Sequence, residues 1–458
     1  MTRVAILGGG PGGYEAALVA AQLGADVTLI DRDGLGGSAV LTDCVPSKTL
    51  IATADVMTEA AESGELGVRI GGDAVGVDLR AVNSRVRSLA EAQSADIVAS
   101  MDKAGVQVLQ GTGRLVPGDR VRVTGRDGGT DEFGADVALI ATGARPRILP
   151  AAQPDGERIL TWEQVYDLDE LPERLIVVGS GVTGAEFASG YKALGSDVVL
   201  VSSRDHVLPS EDADAALVLE GVFARRGLTV LNRSRAASVQ RSGDGVVVTL
   251  ESGQTVEGSH CLMAVGSVPN TDDLGLDECG VRLGPGGFIE VDRVSRTNAR
   301  GVYAAGDCTG VLMLASVAAM QGRIAMWHAL GDAVSPLAAT QVSANVFTSP
   351  EIATVGWSQA AIDAGDIDAR TIKLPLATNP RAKMQGFQDG FVKLFCRPVT
   401  GIVVGGVVVA PRASELIHPI ALAVKSSLTV DAVAQTFTVY PSISGSIAEA
   451  ARQLHRRA

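Results

Sequence analysis

The chain has 458 residues, which is enough for about three domains of ordinary size. With 39 Lys and Arg against 52 Asp and Glu, its net charge is −13, so it lacks the basic footprint of a nucleic-acid-binding protein. The hydrophobic share of 46% excludes global disorder, and no apolar run approaches the ~20 residues of a membrane-spanning helix.

The N-terminus and the cysteines predict a soluble, cytoplasmic protein without a disulfide framework. Residues 1–4 lead directly into an apolar strand and carry no signal-peptide pattern. The five cysteines are widely spaced, with neither a Cys-x-x-Cys motif nor a zinc-like pairing: Cys44, Cys261, Cys279, Cys308 and Cys396. We therefore expect no metal site, no integral membrane segment and no nucleic-acid partner.

An internal repeat dominates the first half of the chain. Residues 3–29 align without a gap with residues 174–200. Each copy begins with a short apolar run, turns through Gly-x-Gly-x-x-Gly into an Ala-rich segment, and returns through a second apolar run. The repeated glycines are Gly8, Gly10 and Gly13 in the first copy and Gly179, Gly181 and Gly184 in the second. This order predicts two βαβ units.

Glycine serves dinucleotide binding in three ways at this spacing. It allows a tight turn, a close approach of backbone N–H groups to a pyrophosphate, and close contact between helix and strand. The N-terminus of the helix then adds partial positive charge toward the phosphates. Two matches in register favour two dinucleotide sites; the alternative is a pair of tight turns in an ordinary α/β domain.

The two copies differ where the second strand ends. The first copy ends in Asp31, whose carboxylate can accept hydrogen bonds from the ribose diol of FAD or NAD. The second copy continues with Ser202, Ser203 and Arg204, so no carboxylate repels a 2′-phosphate and Arg204 can pair with one. This favours NADPH slightly over NADH, unless Arg204 is simply a solvated turn residue.

Three further segments resemble strand ends with functional turns. Thr142-Gly143 follows the apolar residues 137–140, and Gly266 stands in a similar position behind residues 261–263. Both predict crossovers between domains. Asp307 follows a strand and a glycine, where its carboxylate could orient a ribityl or phosphate group.

These residues together resemble the two-dinucleotide-binding flavoproteins, specifically the flavoprotein disulfide reductases, which include dihydrolipoamide dehydrogenase. Residues 346–356 and 390–394 resemble the start of that family's C-terminal dimerisation domain. The resemblance implies an α/β fold with two Rossmann-like domains, FAD on the first and NAD(P)H on the second, plus an α+β dimerisation domain. It also implies a homodimer whose flavin site is completed across the interface.

The resemblance implies domain boundaries and a set of site residues. The predicted domains are an FAD-binding domain at 1–150 and 272–341, an NAD(P)-binding domain at 151–271 and a dimerisation domain at 342–458. The predicted cofactor-binding residues are Gly8, Gly10, Gly13, Asp31, Lys48, Gly113, Thr142, Gly143, Asp307 and Ala315 for FAD, and Gly179, Gly181, Gly184, Ser202, Ser203, Arg204 and Gly266 for NAD(P)H.

The sequence departs from the family at the redox disulfide. The family's outer cysteine, which attacks a substrate disulfide, corresponds to Ala39, whereas the inner cysteine remains as Cys44. The family's catalytic His-Pro corresponds to Tyr440-Pro441, and the Glu that orients this His corresponds to Gly445. Thiol–disulfide exchange needs an attacking and a resolving thiol, so we predict that dithiol chemistry is absent.

The flavin machinery of the family remains. Lys48 matches the lysine beside the flavin N5 atom, where an ammonium favours electron density on the reduced ring, and Glu186 matches its ion-pair partner. Alternatively, Lys48 is a snorkelling helix lysine. Cys44 either has a pKa lowered by a helix N-terminus or is a buried small residue. Tyr440 either hydrogen-bonds an acceptor or only fills the volume of the histidine.

We therefore predict an NAD(P)H:quinone oxidoreductase, because the sequence resembles the branch of the family described by that activity. Hydride would pass from NAD(P)H through the flavin to a quinone or a similar small acceptor, without a dithiol relay. Two alternatives stay open: a dihydrolipoamide dehydrogenase with substituted catalytic groups, and a redox-idle flavoprotein with a binding role.

Overall fold

The structure is a computed structural model that describes residues 1–70, 75–387 and 389–455. The chain forms two compact units. The first unit consists of Met1–Thr49, Asn83–Arg147 and Gly266–Ala338. The second unit consists of Leu50–Val82, Ile148–Val265 and Ala339–Ala458.

A parallel sheet forms the core of the first unit. Its strands, in spatial order, are Val302–Ala304, Val137–Ile140, Arg3–Leu7, Asp26–Asp31 and Gln107–Gln110. The strands are apolar along most of their length because helices cover the sheet. Helix Pro11–Gln22 packs closely on helix Ala315–Ala329, and a Cβ at Gly322 would lie 2.0 Å from the Gly12 carbonyl oxygen.

Smaller elements complete the first unit. An antiparallel sheet and a two-stranded pair follow the parallel strands: Thr112–Val116, Arg120–Thr124 and Thr130–Gly134, and Ala144–Pro146 with Ser267–Pro269. Helix Gly37–Leu41 lies in this unit, whereas helices Cys44–Glu62 and Leu79–Ala104 continue across its boundary along the chain.

The second unit contains the repeated βαβ unit. Its parallel sheet has the order Thr229–Leu231, Asp197–Val201, Arg174–Val178, His260–Met263 and Ile159–Thr161. Helices Val182–Leu194 and Ala213–Arg225 belong to it. An antiparallel sheet accompanies them: Ala236–Ser242, Gly245–Leu250 and Thr255–Gly258.

The C-terminal part of the second unit is α+β. Its antiparallel sheet has the order Ser343–Val346, Glu351–Gly356, Val403–Ala410, Phe391–Cys396 and Arg370–Pro375. Its helices are Gln359–Asp363, Pro380–Met384, Ala413–Leu416, His418–Lys425, Val430–Gln435 and Gly445–Leu454. Among the described residues, no helix is both long enough and apolar enough to cross a membrane.

A buried ion-pair cluster ties this C-terminal sheet to the repeated βαβ unit. Lys393 lies in a central strand, and its Nζ is 2.7 Å from Asp212 Oδ2 and 2.7 Å from Asp214 Oδ2. The side chains of Lys393 and Asp212 are each only 3% exposed. Asp212 also caps helix Ala213–Arg225 by accepting from the N–H groups of Asp214 and Ala215. One carboxylate therefore anchors both elements.

The segment Leu50–Val82 lies in the second unit, although the sequence analysis placed it within the FAD-binding domain. Glu62, near the end of a long helix, accepts a hydrogen bond of 2.7 Å from Arg226 Nη2. Arg226 also donates from Nη1 to the Ser349 carbonyl at 2.9 Å. Arg80 pairs with Asp169 at 3.1 Å. These contacts hold the segment against residues far away in the chain.

Candidate dinucleotide sites

The first glycine-rich turn packs so closely that its first and last glycines have no room for a side chain. Gly8 follows strand Arg3–Leu7 with φ +105° and donates its N–H to the Ile30 carbonyl at 2.8 Å. A Cβ at Gly13 would lie 1.8 Å from the Gly8 carbonyl oxygen. Gly10 then precedes helix Pro11–Gln22 and contributes no capping side chain. Because Pro11 has no N–H and the Gly13 N–H donates to the Gly10 carbonyl at 2.8 Å, the Gly12 N–H is the first candidate donor to a ligand at this helix N-terminus.

The second turn repeats this geometry. Gly179 has φ +111°, and its N–H donates to the Val201 carbonyl at 3.0 Å. A Cβ at Gly184 would again lie 1.8 Å from a glycine carbonyl oxygen, that of Gly179. Gly181 caps helix Val182–Leu194 without a side chain. Both turns lie at the carboxyl ends of parallel strands, where open α/β sheets bind their ligands, so both cradles fit a dinucleotide pyrophosphate.

Replacing Gly181 with alanine is expected to weaken NAD(P)H binding without changing stability. Gly181 has φ −71°, and a Cβ there meets no protein atom within 4 Å. The added methyl would instead occupy the space through which the backbone approaches a pyrophosphate. We expect the Kd for NAD(P)H to rise about 10-fold, a loss of about 1.4 kcal/mol, with the free energy of unfolding unchanged. Nucleotide titration and urea unfolding measure the two quantities.

Gly184→Ala is the matched control for this prediction. Its Cβ collides with the Gly179 carbonyl oxygen, so this variant should lose stability as well as nucleotide binding. A Gly181→Ala protein that binds NAD(P)H as tightly as the parent would contradict the placement of the pyrophosphate over this turn.

Asp31, predicted to bind a ribose, also holds the first turn together. Its Oδ2 accepts from the Gly9 N–H at 2.7 Å, and its Oδ1 accepts from the N–H groups of Asp33 and Gly34 at 2.8 and 2.6 Å. A carboxylate has about four acceptor positions, so the three backbone donors leave capacity for a ribose hydroxyl. The ribose contact stays a prediction.

Ser202 is buried, whereas Ser203 and Arg204, which were predicted to bind NAD(P)H with it, are exposed. Its side chain is fully buried, its Oγ lies 2.7 Å from Ser180 Oγ, and it accepts from the Arg204 N–H at 3.1 Å. The hydroxyl thus joins the end of the second strand to the glycine turn rather than pointing to solvent. Ser203 and Arg204 are exposed and remain the candidates for ligand contact at this strand end.

The Ala-Thr-Gly crossover is fastened within the first unit by Asn270. Thr142 Oγ1 donates to the Asn270 carbonyl at 2.7 Å, and Asn270 Nδ2 donates back to the Thr142 carbonyl at 2.9 Å. The Gly143 carbonyl, from a residue with φ +68°, accepts from the Asn270 N–H at 3.0 Å. The two predicted crossovers therefore meet through backbone and side-chain hydrogen bonds.

The remaining predicted positions lie at turns and element ends. Gly113 is buried, and a Cβ there would approach Leu7 Cγ to 2.9 Å, beside the first glycine turn. Gly266 has φ +89°, a conformation that few residues other than glycine adopt. Ala315 begins helix Ala315–Ala329, so it stands at the positive end of a helix dipole.

Asp307 begins a short 3-10 turn, Asp307–Thr309, next to a buried glutamine. Burial and the nearby carboxylate of Asp43 raise the pKa of Asp307 to about 6. A hydrogen bond from a hydroxyl group stabilises the ionised form of such a carboxylate, which fits the predicted ribityl contact. The turn is held by Gln321, whose Oε1 accepts from the Gly306 N–H at 2.8 Å. Sequence reasoning missed Gln321 because one glutamine within a helix forms no motif.

Cys44 and Lys48 share the start of one helix. Helix Cys44–Glu62 begins at Cys44 itself, with Pro46 in its first turn, and both Cys44 and Lys48 are half-buried. Ala39, at the position of the family's outer cysteine, lies in the preceding helix Gly37–Leu41. The structure therefore places the remaining thiol where a helix N-terminus can act on it.

Glu186 and its counterpart in the first copy make different contacts. Glu186 is 3% exposed, and its Oε1 accepts from the Phe347 N–H at 2.8 Å. Glu15 instead accepts from Arg323 Nε at 2.9 Å, an ion pair between two packed helices. Glu15 thus has a structural role that the sequence analysis did not identify. The pairing of Glu186 with Lys48 stays a prediction.

Tyr440 lies in an exposed connection between helices Val430–Gln435 and Gly445–Leu454. Its side chain is 82% exposed, and the neighbouring Phe437 is fully exposed. Gly445, at the position of the family's orienting Glu, is the first residue of the last helix. The connection is the segment that the resemblance assigns to the partner chain's site.

Two family profiles together match most of the chain. Residues 2–322 match pyridine nucleotide-disulphide oxidoreductase, and residues 342–451 match the dimerisation domain of the same family. The chain belongs to this family. The predicted family, the predicted fold of two Rossmann-like domains with a dimerisation domain, and the predicted use of FAD and NAD(P)H by an oxidoreductase are confirmed.

Individual relatives agree with this membership. A Mycobacterium tuberculosis protein named NAD(P)H dehydrogenase (quinone) is 61% identical over 99% of this chain and 94% of its own length. Dihydrolipoyl dehydrogenase of Chlorobaculum tepidum is 36% identical over 98% and 96%. The crystal structure of LpdA from M. tuberculosis superposes with a TM-score of 0.95, at 60% identity, over all of both chains.

Proposed function

We propose that this protein is an NAD(P)H:quinone oxidoreductase that binds FAD, works as a homodimer in the cytoplasm and does not use a dithiol. The observation that carries the proposal is Ala39: the outer thiol is missing while both dinucleotide cradles and Lys48 remain. Further support comes from the 61% identical relative named NAD(P)H dehydrogenase (quinone).

Several residues of the first unit would hold FAD. When bound, FAD supplies a two-electron carrier between the nicotinamide and the quinone. The Gly12 N–H would donate to the pyrophosphate, and Asp31 would accept from the adenosine ribose. Asp307 would accept from a ribityl hydroxyl. Lys48 would place its ammonium beside the flavin N5 atom, where positive charge favours electron density on the ring.

The acceptor side needs few groups, because a quinone is flat and electrophilic and takes electrons without an acid–base dyad. Tyr440 supplies a hydroxyl that can donate a hydrogen bond to a quinone oxygen. Since the Tyr440 side chain is exposed on the C-terminal domain, we assign it to the site of the second chain in the homodimer. The dimerisation domain of the family supports that assembly.

Anaerobic mixing tests the proposal. The purified holoenzyme is reduced with NADPH or NADH, and a quinone or lipoamide is then added while flavin absorbance is followed. We expect bleaching followed by reoxidation with the quinone and none with lipoamide. Turnover with lipoamide would instead favour a dihydrolipoamide dehydrogenase, as the 36% identical relative is named. Absence of bleaching with either nucleotide would favour a redox-idle flavoprotein.

Replacing Cys44 with alanine is expected to leave quinone reduction within about 3-fold of the parent rate. Because position 39 is alanine, Cys44 cannot form the redox dithiol of the family. Steady-state quinone reduction and FAD content measure the effect. A collapse of turnover with FAD still bound would show that the thiol takes part in the chemistry.

A further inference from the structure

Two neighbouring strands of the second unit continue side by side beyond the sheet. The Ser202 N–H donates to the Leu231 carbonyl at 2.9 Å, and the Ser234 N–H donates to the Ser202 carbonyl at 2.7 Å. The Arg233 N–H then donates to the Arg204 carbonyl at 2.9 Å. The chain that leaves strand Thr229–Leu231 is therefore fixed against the residues that follow strand Asp197–Val201.

This pairing brings two exposed arginines together at the strand ends. Arg204 is exposed, and the side chain of Arg233 is 79% exposed. Arg233 has φ +52°, a left-handed conformation that non-glycine residues seldom adopt. Its Nε donates to Asp205 Oδ1 at 2.5 Å, which orients the guanidinium. A strained, oriented arginine at the ligand-binding edge of a sheet is a functional candidate.

Each carboxylate close to these arginines accepts from a neighbouring donor. Asp205 balances one guanidinium of the pair formed by Arg204 and Arg233. The next residue is His206, whose Nδ1 lies 3.3 Å from Glu220 Oε2. Glu220 also accepts from the Val207 N–H at 2.9 Å. Among the described residues, no carboxylate pairs with Arg204, so its guanidinium remains for a doubly charged anion.

We propose that Arg233 acts with Arg204 to bind the 2′-phosphate of NADPH, so that a residue after the neighbouring strand determines the nucleotide preference. Two guanidinium groups present several N–H donors to one phosphate. Ser202 takes no part, because its hydroxyl is buried against Ser180. The inference rests on the proposed function only in taking a nicotinamide nucleotide as the reductant.

Binding of nucleotide fragments to the holoenzyme tests this assignment. Isothermal titration calorimetry is carried out with 2′,5′-ADP, which carries the 2′-phosphate, and with 5′-AMP, which does not. Arg233→Ala should weaken 2′,5′-ADP about 10-fold and leave 5′-AMP unchanged. Arg233→Lys should recover part of the loss, because it restores the charge without the planar donors. Asp205→Asn should tighten 2′,5′-ADP, since it removes the competing carboxylate.

Arg235→Ala is the matched control, because Arg235 is also exposed and pairs with Glu251 at 3.7 Å. It should change neither affinity. The proposal is overturned if Arg233→Ala binds 2′,5′-ADP as tightly as the parent, or if both ligands weaken equally. No quinone is present in this experiment. A negative result here is therefore distinguishable from a failure of the protein to reduce quinone.

Discussion

Replacing Lys393 with methionine is expected to lower the free energy of unfolding by about 3–5 kcal/mol, because it leaves a buried carboxylate without its partner. Lys393 and Asp212 are each 3% exposed, and the Lys393 Nζ lies 2.7 Å from Asp212 Oδ2. Since Asp212 also caps helix Ala213–Arg225, the loss should include the stability of this helix. Urea and thermal unfolding measure the change.

Lys373→Met provides a matched control, because Lys373 pairs with Asp214 at 2.8 Å but is 45% exposed. An exposed pair contributes about 0–1 kcal/mol, so this variant should be nearly neutral. Combining Lys393→Met with Asp212→Asn should recover part of the loss, because asparagine keeps the helix cap without the charge. Equal effects of Lys393→Met and Lys373→Met would contradict the role of burial.

Replacing Lys48 with methionine is expected to slow flavin reduction by NAD(P)H about 100-fold. Methionine keeps much of the lysine volume but removes the ammonium that we place beside the flavin N5 atom. Stopped-flow measurement of flavin absorbance after anaerobic mixing with NADPH gives the rate. The FAD content of the variant is measured in parallel, so that loss of cofactor is separated from loss of rate.

Lys103→Met is the control for this change, since Lys103 is an exposed lysine in the last turn of helix Leu79–Ala104. Its flavin should bleach at the parent rate. Lys48→Arg should retain more activity than Lys48→Met, because it keeps the positive charge. If Lys48→Met with full FAD is reduced as fast as the parent, Lys48 is only a snorkelling helix lysine.

The fold was predictable where its determinants are local. The apolar run that begins the first copy of the repeat forms strand Arg3–Leu7, and the glycine turn and helix follow it directly in the chain. The grouping of Leu50–Val82 with the second unit depends instead on contacts such as that of Glu62 with Arg226, 164 positions away. Sequence patterns do not contain such tertiary pairings.

Like the fold, the candidate site was predictable where its determinants are local in the sequence. The glycines of both cradles are recognisable from their spacing, and at Gly13 and Gly184 a Cβ would lie only 1.8 Å from a carbonyl oxygen. The burial of Ser202 depends on a hydroxyl partner, Ser180, across the turn. Arg233 enters the site through a neighbouring strand, and a motif search along one βαβ unit does not reach it. Lysines are normally exposed, so the burial of Lys393 was also unforeseeable from the strand pattern.

The alanine at position 39 also limits how many reducing equivalents one chain can store. A disulfide is a two-electron couple, as is FAD, so a chain with both stores twice as much as a chain with FAD alone. Since position 39 is alanine, we expect this protein to have no reserve beyond its flavin. One equivalent of NAD(P)H should complete a reductive titration of each chain, and excess nucleotide cannot drive the protein into an over-reduced state.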